Sequence, residues 1–348
     1  MSDHRPDPVG VQQFEFIEFA APDPSPLHDL FSRLGFVAVA RHRSHPITLY
    51  RQGGINFLIN EMPDSFASAF AAAHGPACTG FALRVTDPEQ VRAAALTQGA
   101  DPVATEQGRL GLDLPSIRGI GGSALYLTGG IEDLEREFVF DPAVERTPRG
   151  AGLTFIDHLT HNVYNGNMSQ WSSFYEKLFG FYEVKYFDIK GARTGLRSQA
   201  MTAPNGRISI PINESEDPKS QINEYLDQYR GEGVQHIALY TDDIYASIET
   251  LRASGIDFLD TPDTYFDAIE QRIPDHDEDL PRMRRNKILI DADRQQPDKQ
   301  LLQIFTKTSI GPIFFEVIQR KGNKGFGEGN FQALFEAIER DQHERGVL

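Results

Sequence analysis

The chain repeats itself, and a duplication restricts the fold more than any single motif does. The segment Thr241 to Phe258 (TDDIYASIETLRASGIDF) follows the apolar run VQHIALY, and Thr86 to Asp101 (TDPEQVRAAALTQGAD) follows GFALRV. Both read as a strand, a Thr-Asp start that offers a capping side chain, an amphipathic helix, and a glycine, Gly99 or Gly255, able to take the left-handed end conformation. A second match joins Phe16 to Phe36 (FIEFAAPDPSPLHDLFSRLGF) with Phe155 to Phe181 (FIDHLTHNVYNGNMSQWSSFYEKLFGF): strand, loop, and a helix ending before Gly-Phe. Apolar strands close each half, SALYLTG from Ser123 and PIFFEVIQR from Pro312. At 348 residues the chain is long enough for two cores. The stretch ERTPRGAG, Glu145 to Gly152, has the proline, glycine and charge content of a linker. The sequence thus predicts an α+β protein of two like domains, 1–150 and 151–348.

Laying one copy on the other brings out a difference in chemistry. Phe19 falls opposite His158, Phe81 opposite His236, and Tyr126 opposite Glu316. One half carries apolar or aromatic filler where the other carries two imidazoles and a carboxylate, each within an apolar strand. Two histidines and a carboxylate hold one face of ferrous iron and leave the other positions to ligands. The lone cysteine, Cys78, rules out a thiolate site and an intrachain disulfide, and fits a reducing cytoplasm. His158 and His161 are three apart and point to opposite faces of a regular strand, so one of them faces inward; the overlay selects His158. A lone strand histidine is more often a hydrogen-bonded core residue than a ligand. A carboxylate within PIFFEVI is costly to bury without a cation or hydrogen-bond partners. The first half is therefore expected to bind no metal. His42 and His45 lie in a polar basic stretch, and His276 in an acidic loop that is more often merely solvated. The glycines of GFGEGNF follow a charged loop instead of a strand, which argues against a phosphate cradle.

A net charge of -16 disfavours nucleic acid and anionic membrane as partners, and no apolar run approaches the roughly 18 residues of a membrane span. The first ten residues, MSDHRPDPVG, lack the apolar stretch of a secretory signal. A small molecule is the expected partner and the cytoplasm the expected location.

The strings IDHLTHNVY, GEGVQHIALYTDDI, LLQIFT, GPIFFEVIQRKG and GFGEGNFQALFEAIERDQ resemble 4-hydroxyphenylpyruvate dioxygenases, members of the vicinal oxygen chelate superfamily. The resemblance covers nearly all of Gly150 to Leu348; the first half matches more loosely. It implies two domains, each a pair of βαβββ modules forming an open barrel, with a C-terminal helix over the second. In that family the ligands are the histidine of the Asp-His pair, the histidine after Val-Gln, and the glutamate of the Phe-Glu strand, here His158, His236 and Glu316. A substrate pocket is implied with Ser198, Asn213, Gln221, Gln235 and Gln303 on its polar wall and Pro211, Phe305, Phe314, Phe326 and Phe331 on its apolar wall. Gln221, Gln235 and Phe331 carry the roles nearest the chemistry. Pro211 with Asn213, Gln303 with Phe305, and Phe314 with Glu316 are each two apart and share a strand face. Gln235 adjoins His236 and faces the other way unless the strand bulges there.

The implied activity is an Fe(II)-dependent conversion of 4-hydroxyphenylpyruvate and O2 to homogentisate and CO2, a step of tyrosine and phenylalanine catabolism. The substrate supplies its own 2-oxo acid, and the chain is expected to form a homo-oligomer, a dimer or tetramer. Hydroxymandelate synthase, acting on the same substrate at the benzylic carbon, is the alternative. An extradiol dioxygenase of the same superfamily and a metal-free binding module are more distant ones. Asn330 is a good helix N-cap ahead of the apolar stripe Phe331, Leu334, Phe335 and Ile338, and aromatic bulk at Phe331 is expected to favour homogentisate.

Overall fold

The computed structural model describes residues 7–103, 108–190, 194–274, 276–293, 296–323, 325, 327, 330, 343 and 346. Within them the strands gather into two eight-stranded curled sheets. The first holds β1 (Phe14–Ala20), β2 (Val37–His42), β3 (Ile47–Gln52), β4 (Ile55–Asn60), β5 (Ala77–Arg84), β6 (Ser116–Arg118), β7 (Ala124–Thr128) and β8 (Phe138–Phe140). The second holds β9 (Leu153–Asn162), β10 (Tyr182–Lys190), β11 (Gly195–Thr202), β12 (Ser209–Glu214), β13 (Gly233–Thr241), β14 (Leu289–Asp293), β15 (Gln296–Phe305) and β16 (Phe314–Lys321).

The strand orders are β6-β7-β5-β1-β4-β3-β2-β8 and β10-β11-β12-β9-β13-β16-β15-β14. Read in opposite directions they superpose over seven positions, with β8 and β14 as the unmatched edges. In each sheet the two modules meet at one antiparallel pair, β1 with β5 and β9 with β13. Each module closes by parallel pairing of its outer strands, β1 with β4, β5 with β7, β9 with β12 and β13 with β16. The paired βαβββ modules expected from the sequence are therefore present.

Local signals account for the elements. The helix Pro88–Thr97 is capped by Asp87, whose side chain accepts from Gln90 N–H, and the helix Ile244–Ala253 by Asp243, which accepts from Ala246 N–H. In the second copy the cap is thus one residue later than the Thr-Asp pair places it. Gly99 and Gly255 follow these helices at φ +93° and +81°, the left-handed conformation anticipated for them. Strand β1 is buried along its whole length because helices cover one of its faces and the sheet curls over the other. Even Glu15 is accommodated, through a bidentate pair with Arg84.

The connection between the sheets packs on the first: Gly53 N–H donates to Pro148 O, and Gln52 Oε1 accepts from Leu153 N–H. One continuous apolar core runs through both sheets, with Phe57 of the first 6.1 Å from Phe315 of the second, ring to ring. Among the described residues no helix is long and apolar enough to cross a membrane.

Candidate metal centre

On β9 the residues His158, Thr160 and Asn162 alternate with Leu159 and His161, so the first three share the inner face of the sheet. His161 points outward, where Nε2 meets the Tyr175 hydroxyl at 2.7 Å. On β13, Ala238 pairs with His158 on one side and Glu316 of β16 on the other, and His236 lies two residues earlier on the same face. Three adjacent strands thereby bring the three side chains to one point. Their ligand atoms lie within 4.8 Å of one another, with Nε2 of His158 and of His236 at 3.1 and 3.5 Å from Glu316 Oε2. All three residues are at least 95% buried. They form the one such cluster of three or more His, Cys, Asp or Glu side chains among the described residues. His42, His45, His161 and His276 take no part in it. His42 stacks on His45 and pairs with Glu137, and His276 Nδ1 accepts from Glu278 N–H.

Each ligand is held from behind. His158 Nδ1 is 2.8 Å from Asp157 Oδ1, and Asp157 is in turn gripped by Arg320 through two hydrogen bonds of 2.7 and 2.8 Å. His236 Nδ1 donates to Gln235 Oε1 at 2.9 Å, and Gln303 Nε2 donates to Glu316 Oε1 at 2.7 Å. With Nδ1 engaged, each imidazole turns Nε2 toward Glu316 Oε2, which is how metal-ligating histidines are oriented. Burial opposes charge throughout the cluster. Even so, Glu316 and Asp157 raise the His158 imidazole above its ordinary value, and the two imidazoles hold the Glu316 carboxyl below its own. His236, where burial dominates, is lowered. Two nitrogens and one carboxylate oxygen, convergent, buried and anchored from behind, fit a divalent metal.

Around this point the expected pocket residues separate into groups. Ser198, Asn213 and Asn162 stand side by side on β11, β12 and β9. Asn213 Nδ2 donates to Asn162 Oδ1 at 3.3 Å, while Ser198 Oγ, Asn213 Oδ1 and Asn162 Nδ2 are buried with no hydrogen-bond partner among the described residues. Such groups normally find one, so this row is prepared for a polar ligand atom. Asn162 was not selected from the sequence, although its spacing of four from His158 along a strand was the available signal. Pro211 sits between this row and the metal ligands on the same face of β12.

The Phe314 ring stacks on His236 at 4.8 Å and 22°, and Phe305 stands edge-on to it at 6.2 Å. The β9–β13 register shifts between Val234 and His236, which is the irregularity that Gln235 requires to act beside His236. Gln235, Phe314 and Gln221, the first residue of the helix Gln221–Tyr229, line a cleft of about 720 Å³ that extends to Leu30 and Arg33 of the first half. Phe326 and Phe331 lie outside the described residues, as do Leu334, Phe335 and Ile338.

The first sheet corrects the overlay of the two halves. Ala82 pairs with Phe16 and with Tyr126 just as Ala238 pairs with His158 and Glu316. The counterparts of His158, His236 and Glu316 are therefore Phe16, Gly80 and Tyr126. Tyr126 is as the sequence placed it, but Phe19 is three residues off and Phe81 one. The one-residue slip has the same source as the misplaced helix cap, an extra aspartate after Thr241. At Gly80 a Cβ would stand 2.9 Å from the Tyr126 ring, so tyrosine occupies the volume that the imidazole takes in the second sheet. Its hydroxyl donates to Glu18, a buried carboxyl that also receives Asn60 and Thr79. None of the three counterparts belongs to a cluster of His, Cys, Asp or Glu side chains that could hold a metal among the described residues.

Comparison with known proteins places both halves. A family model for the N-terminal part of hydroxyphenylpyruvate dioxygenase matches residues 6–145, and the glyoxalase/bleomycin resistance protein/dioxygenase superfamily model matches residues 155–278. The chain is 53% identical to hemolysin VllY of Vibrio vulnificus and 51% identical to a 4-hydroxyphenylpyruvate dioxygenase of Pseudomonas sp. (strain P.J. 874), in each case over 98% of both chains. Among solved structures, a triple mutant of 4-hydroxymandelate synthase from Streptomyces coelicolor matches 96% of this chain and 99% of its own with a TM-score of 0.83 at 26% identity. The chain belongs to the 4-hydroxyphenylpyruvate dioxygenase family of the glyoxalase/dioxygenase superfamily.

Proposed function

We propose that the chain is an iron(II)-dependent enzyme that converts 4-hydroxyphenylpyruvate and O2 to homogentisate and CO2. The observation that carries this reading is the buried His158–His236–Glu316 cluster, with its Nδ1 and Oε1 atoms anchored from behind, in a chain about half identical over its full length to a named dioxygenase of that substrate. Iron in this site would supply the chelation of the 2-oxo acid and the activation of dioxygen.

The chain's own groups do the rest. Asp157 and Gln235 fix the imidazole tautomers so that both Nε2 atoms face the ligand point. Phe314 lies flat on His236 and Phe305 edge-on to it, so their remaining ring surface is available to the substrate's aromatic ring. The row of Ser198, Asn213 and Asn162 stands four residues along β9 from His158 on the same face, so a substrate whose head is held at the ligands directs its para end along the strand toward this row. There Asn213 Oδ1 accepts from the phenol hydroxyl and Asn162 Nδ2 donates to it, satisfying atoms that are otherwise buried alone. Burial of Ser198, Asn213, Phe305 and Phe314 helps keep water from the reacting carbon. We assign metal binding and catalysis to residues 151–348 and a packing or assembly role to residues 1–150, in a homo-oligomer resident in the cytoplasm.

The test is anaerobic loading of the purified protein with ferrous iron and 4-hydroxyphenylpyruvate, then oxygen, with chromatographic identification of the product. Homogentisate supports the reading. Hydroxymandelate as the main product would move the chain to the synthase branch, and absence of either would overturn the assignment. The Phe331→Ile variant, chosen from the sequence alone, is expected to shift product toward hydroxymandelate.

A further inference from the structure

The oxygen of Glu316 that faces away from the imidazoles ends a chain of hydrogen bonds reaching the protein surface. Gln303 Nε2 donates to Glu316 Oε1 at 2.7 Å, and Asn330 Nδ2 donates to Gln303 Oε1 at 2.9 Å. The Tyr265 hydroxyl donates to Asn330 Oδ1 at 2.8 Å, and Arg272 Nη2 donates to the same hydroxyl oxygen at 2.7 Å. The directions follow from the two ends inward, since a carboxylate only accepts and a guanidinium only donates. Gln303 must turn its NH2 to Glu316, which leaves its carbonyl for Asn330, and that in turn leaves the Asn330 carbonyl for the tyrosine proton. The hydroxyl oxygen already accepts from Arg272 and from Ile290 N–H; of its two acceptors, Ile290 O at 3.0 Å is also served by Arg272, so the single phenol proton goes to the nearer Asn330 Oδ1 at 2.8 Å, which would otherwise face a second lone pair.

Packing holds the chain in place. The Arg272 guanidinium lies 4.6 Å from the centre of the Tyr265 ring, and a Cβ on Gly327, whose φ is +71°, would stand 2.2 Å from Gln303 Oε1. Asn330 and Gln303 are both buried.

We propose that Arg272, Tyr265 and Asn330 are positioning residues for the metal: by holding Gln303 on Glu316 Oε1 they leave Oε2 as the one oxygen this ligand offers. A carboxylate that binds through one oxygen occupies one coordination position, and the face opposite the three ligands stays open for a chelating substrate and a gas. The inference rests on the reading that His158, His236 and Glu316 bind a metal.

The test titrates metal-free protein with cobalt(II), reading affinity and the visible d–d spectrum, for wild type, Tyr265→Phe, Arg272→Met, Asn330→Asp and Glu316→Ala, with circular dichroism and melting temperature on each. Tyr265→Phe keeps the ring beneath Arg272 and removes one link. Asn330→Asp cannot donate to Gln303 and so forces its amide to turn over. Loss of an outer partner weakens metal binding by about 10-fold to 100-fold, and Asn330→Asp is expected at the upper end and Tyr265→Phe at the lower. Both are expected to shift the spectrum as Glu316 gains freedom to bind through two oxygens. Folded variants that melt lower but keep wild-type cobalt affinity and spectrum would reduce the relay to a structural feature and overturn the proposal. If wild type and Glu316→Ala bind cobalt alike, the metal reading itself fails, whatever the relay variants do.

Discussion

Replacing Asp157 with asparagine tests how much of the metal site lies behind the ligands. Asp157 accepts from His158 Nδ1–H and receives two hydrogen bonds from Arg320, with 6% of its side chain exposed against 19% for the arginine. An asparagine of the same shape has one acceptor oxygen and an NH2, so it cannot serve both partners without setting donor against donor. If it turns its oxygen to Arg320, His158 loses its anchor, and an outer partner of a metal-bound histidine is worth about 10-fold to 100-fold in affinity, or about 1.4 to 2.8 kcal/mol. Arg320 meanwhile keeps a charge without its carboxylate. Breaking a buried pair costs about 3 to 5 kcal/mol, and the partly exposed Arg320, which also reaches Asn323 O, belongs at the lower end. Asp157→Asn is therefore expected to lower both metal affinity, by titration of metal-free protein, and melting temperature. Arg320→Met separates the two effects, because it destabilises the fold but leaves the Asp157–His158 bond in place, so it should retain more metal affinity. Equal losses of affinity in the two variants, or wild-type affinity in Asp157→Asn, would refute the argument.

Alanine at His158, His236 or Glu316 should abolish tight metal binding, whereas His161→Ala should keep it and lose about 1 to 3 kcal/mol of stability by orphaning the buried Tyr175 hydroxyl; metal content and thermal melts decide. Metal stoichiometry should be one per chain, because Phe16, Gly80 and Tyr126 stand at the equivalent points of the first sheet; a value near two would sink this. Burial raises the Glu18 carboxyl above its ordinary 4.5 despite three donors, so the folded state holds a proton that the unfolded chain releases. Its stabilising contribution is fully present below pH 4.5 and is lost as pH rises through the folded value; Glu18→Gln should flatten that part of the melting-temperature profile, and an unchanged profile would contradict it.

Helix caps, glycine stops and alternating apolar runs are short-range signals, and they sufficed for the duplicated strand-helix-strands order; strand alternation put His158 and His161 on opposite faces, but which of them faces inward came from the overlay and the resemblance. Glu316 was legible because a carboxylate in an apolar strand demands a partner. Registration between the halves was not. Counting from matched strings put Phe19 and Phe81 opposite the ligands, and only the ladder pairing, which fixes which residues lie side by side across strands, moved these positions to Phe16 and Gly80. Asn162 escaped notice for the same reason: it matters because β12 brings Asn213 beside it, a contact across fifty-one positions of sequence that no local pattern records. The bulge at Gln235 and the relay from Arg272 to Glu316 likewise belong to the tertiary structure. Side chains far apart in the chain acquire their hydrogen-bond direction from one another only once the fold has brought a cation to one end and a carboxylate to the other.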